Sequence, residues 1–329
     1  MGSDIRGGAV LTVFIATRNG AATLPRALAA YVALRPPAGG WKLVVVDNGS
    51  VDDSAAIVRS FADRLPLVVL TEPRPGKNRA LNRALAELEG DLAVFSDDDA
   101  LPEPDWLVAL REVADRQPAH DVFGGGILPA WDGEPEPWVR DWVRAVPVYG
   151  VHDEPRDDGP CEPTRVFGTN MAVRARWFRA GYRFDEQLGP DGTTTYAMGS
   201  ETEFSLRLVL NEGVACWHCP AARVRHIIRP RQLTRAFVLR RAFHLGRCVK
   251  RESRQRAAAG HSHVPRGAGA ILRGLASNLA ALVAARCAGD ARRAFEARWQ
   301  LNVWYGCLYE ALASSYKLRD PLRDAGAHA

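Results

Sequence analysis

Continuous apolar runs alternate with stretches of helical spacing through the N-terminal third of the chain. Residues 9–16, Ala-Val-Leu-Thr-Val-Phe-Ile-Ala, are rich in β-branched side chains and predict a strand buried on both faces. The run stops at the turn Thr17-Arg18-Asn19-Gly20. Over residues 22–34, Leu24, Ala27, Leu28 and Tyr31 fall on one helical face. A second strand over 42–46 ends at Asp47-Asn48-Gly49-Ser50. Asp52, Asp53 and Ser54 then offer caps for a helix carrying Ile57, Val58 and Phe61. A third strand is expected over 67–70, a helix over 78–88, and a fourth strand over 92–96 that delivers Asp97-Asp98-Asp99. This alternation predicts an α/β fold with a parallel sheet. Ligands of such sheets sit beyond the carboxyl ends of the strands, where the polar clusters at 17–19, 47–50 and 97–99 all fall.

The pattern then changes. Gly124-Gly125-Gly126-Ile127 predicts a short strand, and 131–163, rich in Pro, Trp and acids, an irregular loop. Apolar residues return over 167–173 as a strand, followed by a Gly- and Thr-rich stretch over 184–199. A helix is expected over 201–210 and a strand over 213–219, leading to Val224-Arg225-His226. Beyond 232 the spacing is helical: 234–250, a weakly patterned linker over 251–269, then 271–286 and 292–316.

Composition narrows the class. With 47% apolar and 25% charged residues in 329, the chain can build a sizeable core. The six cysteines are scattered, which points to free thiols in a reducing compartment. No secretory leader is visible and no stretch approaches about 18 uninterrupted apolar residues, so a cytoplasmic protein is expected, with peripheral contact on the cytoplasmic membrane face left open. The net charge of +5 is uneven, because 223–256 is dense in arginine. Acids at the strand ends would repel a phosphate backbone, and the basic helices carry no recognised reading motif, so nucleic acid is not the expected partner.

Three adjacent aspartates repel one another, and a divalent cation finished by substrate phosphates resolves that repulsion. Four segments extend the picture: Val13-Phe14-Ile15-Ala16-Thr17-Arg18-Asn19, Val45-Val46-Asp47-Asn48-Gly49-Ser50, Phe95-Ser96-Asp97-Asp98-Asp99, and Gly199-Ser200-Glu201-Thr202-Glu203-Phe204-Ser205-Leu206-Arg207. In this order they resemble the motifs of family 2 glycosyltransferases, which have the nucleotide-sugar-binding GT-A fold, a Rossmann-like mixed, mainly parallel sheet flanked by helices. The resemblance implies inverting transfer of one sugar from a nucleotide-sugar, of UDP type, to a hydroxyl of a glycan, lipid-linked or small-molecule acceptor. It implies Mn2+ or Mg2+ on Asp99, with His226 as a further ligand. It puts Thr17, Asn19, Asp47, Lys77, Asp97 and Asp98 against the nucleotide-sugar, with Asp47 on a uracil-like base and Asp97 or Asp98 towards the ribose or a metal-bound water.

Glu201 aligns with the general base of the family. Ser200 stands where a first acid is common and Glu201 where aspartate is common, so the carboxylate reaches about 1.5 Å further. Glu203 is the alternative, but positions two apart on a helix face different ways. Gly76-Lys77-Asn78-Arg79-Ala80-Leu81-Asn82 is similar to a run in processive members, whose Gln-x-x-Arg-Trp motif is incomplete here at Gln232 and Arg235. That favours single-sugar transfer. Residues 1–230 form the expected catalytic domain, with a nucleotide-sugar half to about 120 and an acceptor half over 121–230. Residues 231–329 are a basic, amphipathic helical extension that meets a membrane, packs on the domain or joins a second copy. A sugar-phosphate nucleotidyltransferase is the alternative enzyme, though Thr17-Arg18-Asn19-Gly20 lacks the Gly-rich basic loop of that class. A basic binding module without catalysis is a further alternative.

Overall fold

The computed structural model describes residues 11–152, 156–260 and 267–313. Positions 9–10 and 314–316, at the ends of two expected elements, lie outside them, as do 153–155 and 261–266 of the expected loop and linker.

Nine strands make one sheet: β1 (Leu11–Thr17), β2 (Trp41–Asp47), β3 (Leu67–Thr71), β4 (Leu92–Asp97), β5 (Ala100–Pro102), β6 (Val122–Trp131), β7 (Gly159–Cys161), β8 (Met171–Arg174) and β9 (Cys216–Ile228). Their order is β3-β2-β1-β4-β8-β6-β9-β5. The first four pair in parallel, β8 runs antiparallel to β4 and β6, and β9 runs parallel to β6. β7 and β5 pair antiparallel with successive stretches of β9. The expected mixed, mainly parallel architecture is the one observed.

Helices cover both faces. They are α1 (Leu24–Val32), α2 (Ser54–Arg59), α3 (Lys77–Ala84), α4 (Trp106–Arg116), α5 (Pro137–Trp142), α6 (Ala145–Tyr149), α7 (Ala175–Arg179), α8 (Ser200–Glu212), α9 (Arg235–Ala258), α10 (Ala268–Cys287) and α11 (Ala291–Leu312). Alternation along the strands divides the core. Val13, Ile15, Val45 and Val94 join one cluster with Leu28 of α1 and Trp106 of α4. Phe14, Val44, Val46 and Phe95 join the other with Leu81 of α3 and Phe204 of α8. Each large side chain so buried contributes about 1.5–3 kcal/mol.

Several expected boundaries move. The strand expected to end at 219 continues as β9 to Ile228. Its second half reads polar because Arg223 and Arg225 alternate outward with buried Ala222 and Val224. Residues 168–170 form a 3-10 turn, so only Met171–Arg174 is strand. The expected irregular loop holds the short helices α5 and α6. The linker begins later than expected, because α9 runs to Ala258. α10 is long and apolar enough, by length and composition, to cross a membrane. Alanines supply that character around Arg273, Ser277 and Asn278, which break any uninterrupted apolar run.

Candidate active site

Strand register gathers the polar clusters at one sheet edge. Thr17 pairs with Asp47, and Ala16 pairs with Asp97, so β1, β2 and β4 end side by side. The Thr17 hydroxyl donates to Asp98 Oδ2 at 2.5 Å. Burial, and then the neighbouring Asp99 charge, push Asp98 up to about 7. Asp47 is 9% exposed and accepts the Ser50 backbone N–H at 3.1 Å, a side-chain turn that leaves its second oxygen for a ligand. Asn19 serves the loops instead: at φ 54° it accepts from Val51 N and donates its own N–H to Ser50. Its side-chain oxygen is therefore engaged within the protein.

Lys77, the first residue of α3, bridges two carboxylates. Its Nζ lies 2.7 Å from Asp97 Oδ1 and 2.9 Å from Glu201 Oε1. Burial works against the ammonium, but the two anions outweigh it and hold the lysine well above its ordinary range. Asp97 is pulled the other way. Burial raises it, the Lys77 charge and hydrogen bond more than offset this, and its pKa falls. The second oxygen of Asp97 accepts from Thr169 at 2.6 Å, so both oxygens are held by protein donors. Asp98 has one oxygen held, by Thr17.

Glu201 and Glu203 have different surroundings. Glu203 forms a fork with Arg207 at 2.8 and 3.2 Å, and Gln255 of α9 donates to its backbone carbonyl. Arg207 also donates to Arg183 O and lies over the Phe204 ring. Glu203 therefore belongs to the packing of α8. Glu201 faces the aspartates through Lys77, against the backbone of Gly168.

Asp99 is 8% exposed. Its oxygens lie 3.1 Å from His226 Nε2 and 3.0 Å from Arg229 Nη2. The His226 Nδ1 lies 2.7 Å from the Tyr149 carbonyl, an acceptor, which puts a proton on Nδ1. The other ring nitrogen then aims at a carboxylate. Burial disfavours the imidazolium, but Asp99 outweighs burial and raises the histidine. A cation suits the same geometry, since a carbonyl partner on the remote nitrogen is how metal-binding histidines are oriented. Two ligands at right angles on an octahedral ion with bonds of about 2.1 Å stand about 3 Å apart. The pair fits Mn2+ or Mg2+, with the remaining positions open to phosphate oxygens. No group of three or more acid, histidine or cysteine side chains suited to a metal occurs among the described residues.

Thr169, Arg229, Gly168 and the Tyr149 carbonyl were not singled out from sequence. Thr169 carried a signal, as a hydroxyl beside Asn170 inside an apolar run. The Tyr149 carbonyl carried none, because its part is played by the backbone. A cleft of about 950 Å³ lies between α10, α11 and the end of α5 and contains none of these carboxylates.

The fold has solved counterparts. It superposes with a TM-score of 0.60 on a mannosyltransferase from Pyrobaculum calidifontis in complex with GDP-Man and Mn2+, at 19% identity over 94% of this chain and 88% of that one. It superposes with a TM-score of 0.52 on S. aureus TarS 1–349 in complex with UDP-GlcNAc, at 15% identity over 94% and 95%. In sequence it is 26% identical over 192 residues to a glucosyl-dolichyl phosphate glucuronosyltransferase of Haloferax volcanii, 56% of this chain and 58% of that protein. It is 31% identical over 123 residues to a PGL/p-HBAD biosynthesis glycosyltransferase of Mycobacterium bovis, covering 36% and 47%. The chain spans about half the length of these two curated relatives. The profile of glycosyl transferase family 2 matches residues 12–200, more than half of the chain, and the chain belongs to that family.

Proposed function

We propose that this glycosyltransferase moves one sugar, with inversion, from a nucleoside diphosphate sugar to a hydroxyl of a glycan or lipid-linked acceptor. The observation that supports this most is the Asp97–Lys77–Glu201 bridge. It holds one carboxylate from α8 beside the acids of β4, with Glu203 withdrawn into an arginine fork. Asp47 would accept from the base N–H and Asp98 would meet the ribose, with Thr17 fixing its orientation. Glu201 would accept the proton of the acceptor hydroxyl as it attacks the anomeric carbon. A single displacement by that hydroxyl inverts the configuration. Lys77 would turn from Glu201 towards the diphosphate as the donor enters, leaving the base free. Asp99 and His226 would hold Mn2+ or Mg2+, which supplies Lewis-acid stabilisation of the charge on the departing diphosphate. A lipid-linked acceptor is favoured by the Haloferax relative, whose name specifies glucosyl-dolichyl phosphate. UDP is the proposed donor nucleotide, and the GDP-Man and UDP-GlcNAc of the structural counterparts define the comparison set.

The test is a thermal-shift panel of UDP- and GDP-sugars with and without Mn2+, followed by turnover with the stabilising donor. Release of nucleoside diphosphate is expected; release of sugar 1-phosphate, with the nucleoside monophosphate passing to another group, would establish nucleotidyl transfer instead. Glu201→Gln should lower turnover at least about a hundredfold with donor affinity nearly unchanged. Full turnover by that variant would remove Glu201 as the base.

A further inference from the structure

Among the described residues, one helix leaves an apolar face uncovered. α10 is about 30 Å long. One side of it packs on α11: Ile271 is 1% exposed, and a Cβ at Gly274 would lie 2.2 Å from the Trp304 ring. The opposite side carries Leu272, Leu279 and Val283, exposed by 62%, 55% and 55%. At 100° per residue these three lie within about 40° of one another, with exposed Ala276 and Ala280 beside them. Arg273 and Arg286 flank the stripe on its two sides, one near each end, both exposed. α10 has no acidic residue, and neither arginine has an acidic partner among the described residues.

We propose that this face of α10 seats flat on an anionic lipid surface. Its leucines and valine would enter the acyl boundary while the arginines meet the headgroups, as an interfacial helix does. The packed face rules out a helix surrounded by lipid, because Ile271 and Gly274 are committed to α11. Charge selects lipid over a second copy. Two α10 faces related by a two-fold axis would bring Arg273 of one towards Arg286 of the other, with no acid on either helix to compensate. An anionic membrane supplies that compensation, worth about fivefold in binding for each arginine near the surface.

The test is co-sedimentation of the full chain with phosphatidylcholine vesicles, with and without phosphatidylglycerol. The wild type should pellet with the anionic vesicles, and less so in high salt. Leu279→Glu/Val283→Glu should reduce binding by about a hundredfold, since each apolar side chain kept out of the acyl boundary forfeits about tenfold. Arg273→Gln/Arg286→Gln should reduce it by about twentyfold and abolish the salt dependence. All four positions are exposed, and thermal melts matching the wild type would show the fold intact. Wild type that stays in the supernatant, or variants that pellet equally, would overturn the proposal. So would a wild-type dimer that Leu279→Glu/Val283→Glu converts to monomer without any vesicle binding, because the face would then be a self-interface.

Discussion

At the scale of single residues, the position of Glu201, the proposed base, depends on a side chain that is missing. Gly168 begins the 3-10 turn ahead of β8, and a Cβ there would lie 2.0 Å from Glu201 Oε1 and 2.4 Å from its carboxyl carbon. Glu201 is anchored at its other side by Lys77, so a methyl group at 168 has to displace the carboxylate against its 2.9 Å ion pair. Gly168→Ala should therefore lower kcat by about tenfold to a hundredfold and leave donor binding within about twofold, a displacement effect on the reacting group. Steady-state kinetics with donor titration measure both, and a variant with normal kcat would show that Glu201 is not held there during turnover. The acids themselves were legible in the sequence, because carboxylates at the ends of buried strands have no packing reason to be there. Their pairing was not. Lys77 and Asp97 are 20 positions apart and meet Glu201 only through the fold.

At the scale of elements, α9 grips the chain just ahead of α8. His244 Nδ1 donates to the Tyr196 carbonyl at 2.8 Å, and the two rings stack at 4.5 Å. Arg247 donates to the Thr195 carbonyl, and the Cys248 sulfur occupies the space a Cβ at Gly199 would need. Burial, and then the Arg241 charge, push His244 down to about 4. In the unfolded chain it titrates near 6.5. Between these values the unfolded state binds a proton that the folded state does not, so stability is intact above about pH 6.5 and falls as the pH drops towards 4. His218, pushed down to about 4 mainly by burial, acts in the same direction. Replacing His244 by phenylalanine keeps a stacking ring and removes the titration. Melts at pH 7 and 5 should show a smaller acid-induced drop in Tm for His244→Phe than for the wild type, and equal drops would exclude His244 as a contributor. The same elements show what a sequence pattern can reveal. β1, β2 and β4 are buried on both faces and read as unbroken apolar runs. β9 alternates and α5 and α6 each span fewer than seven residues, so they present too little periodicity to be seen. The end of α9 read as a linker because Arg251 and Arg254 face a buried acid on another helix.

At the scale of the whole molecule, that acid ties α11 to α9 and, through Arg247, to the chain ahead of α8. Glu310 of α11 is fully buried. Its two oxygens accept from Arg247 Nε at 2.9 Å and Arg251 Nε at 2.7 Å, both on α9, and Arg254 stands 3.9 Å away. Arg247 passes the connection to Thr195, five residues before α8 and six before Glu201. A continuous path thus runs from α11 through α9 to the segment that leads into α8. α10, which carries the exposed apolar face, rests on α11 at the outer end of this path. Removing one partner of a buried charge cluster leaves the others unpaired and costs about 3–5 kcal/mol. Glu310→Gln keeps the shape and removes the charge, so denaturant unfolding should show a loss of that order at pH 7. Turnover should fall with it at temperatures where the fold persists, because the 195–199 segment loses its fixed support. A variant that unfolds like the wild type would mean the arginines find other partners. One that loses stability but keeps full turnover would confine Glu310 to folding and detach the extension from the chemistry.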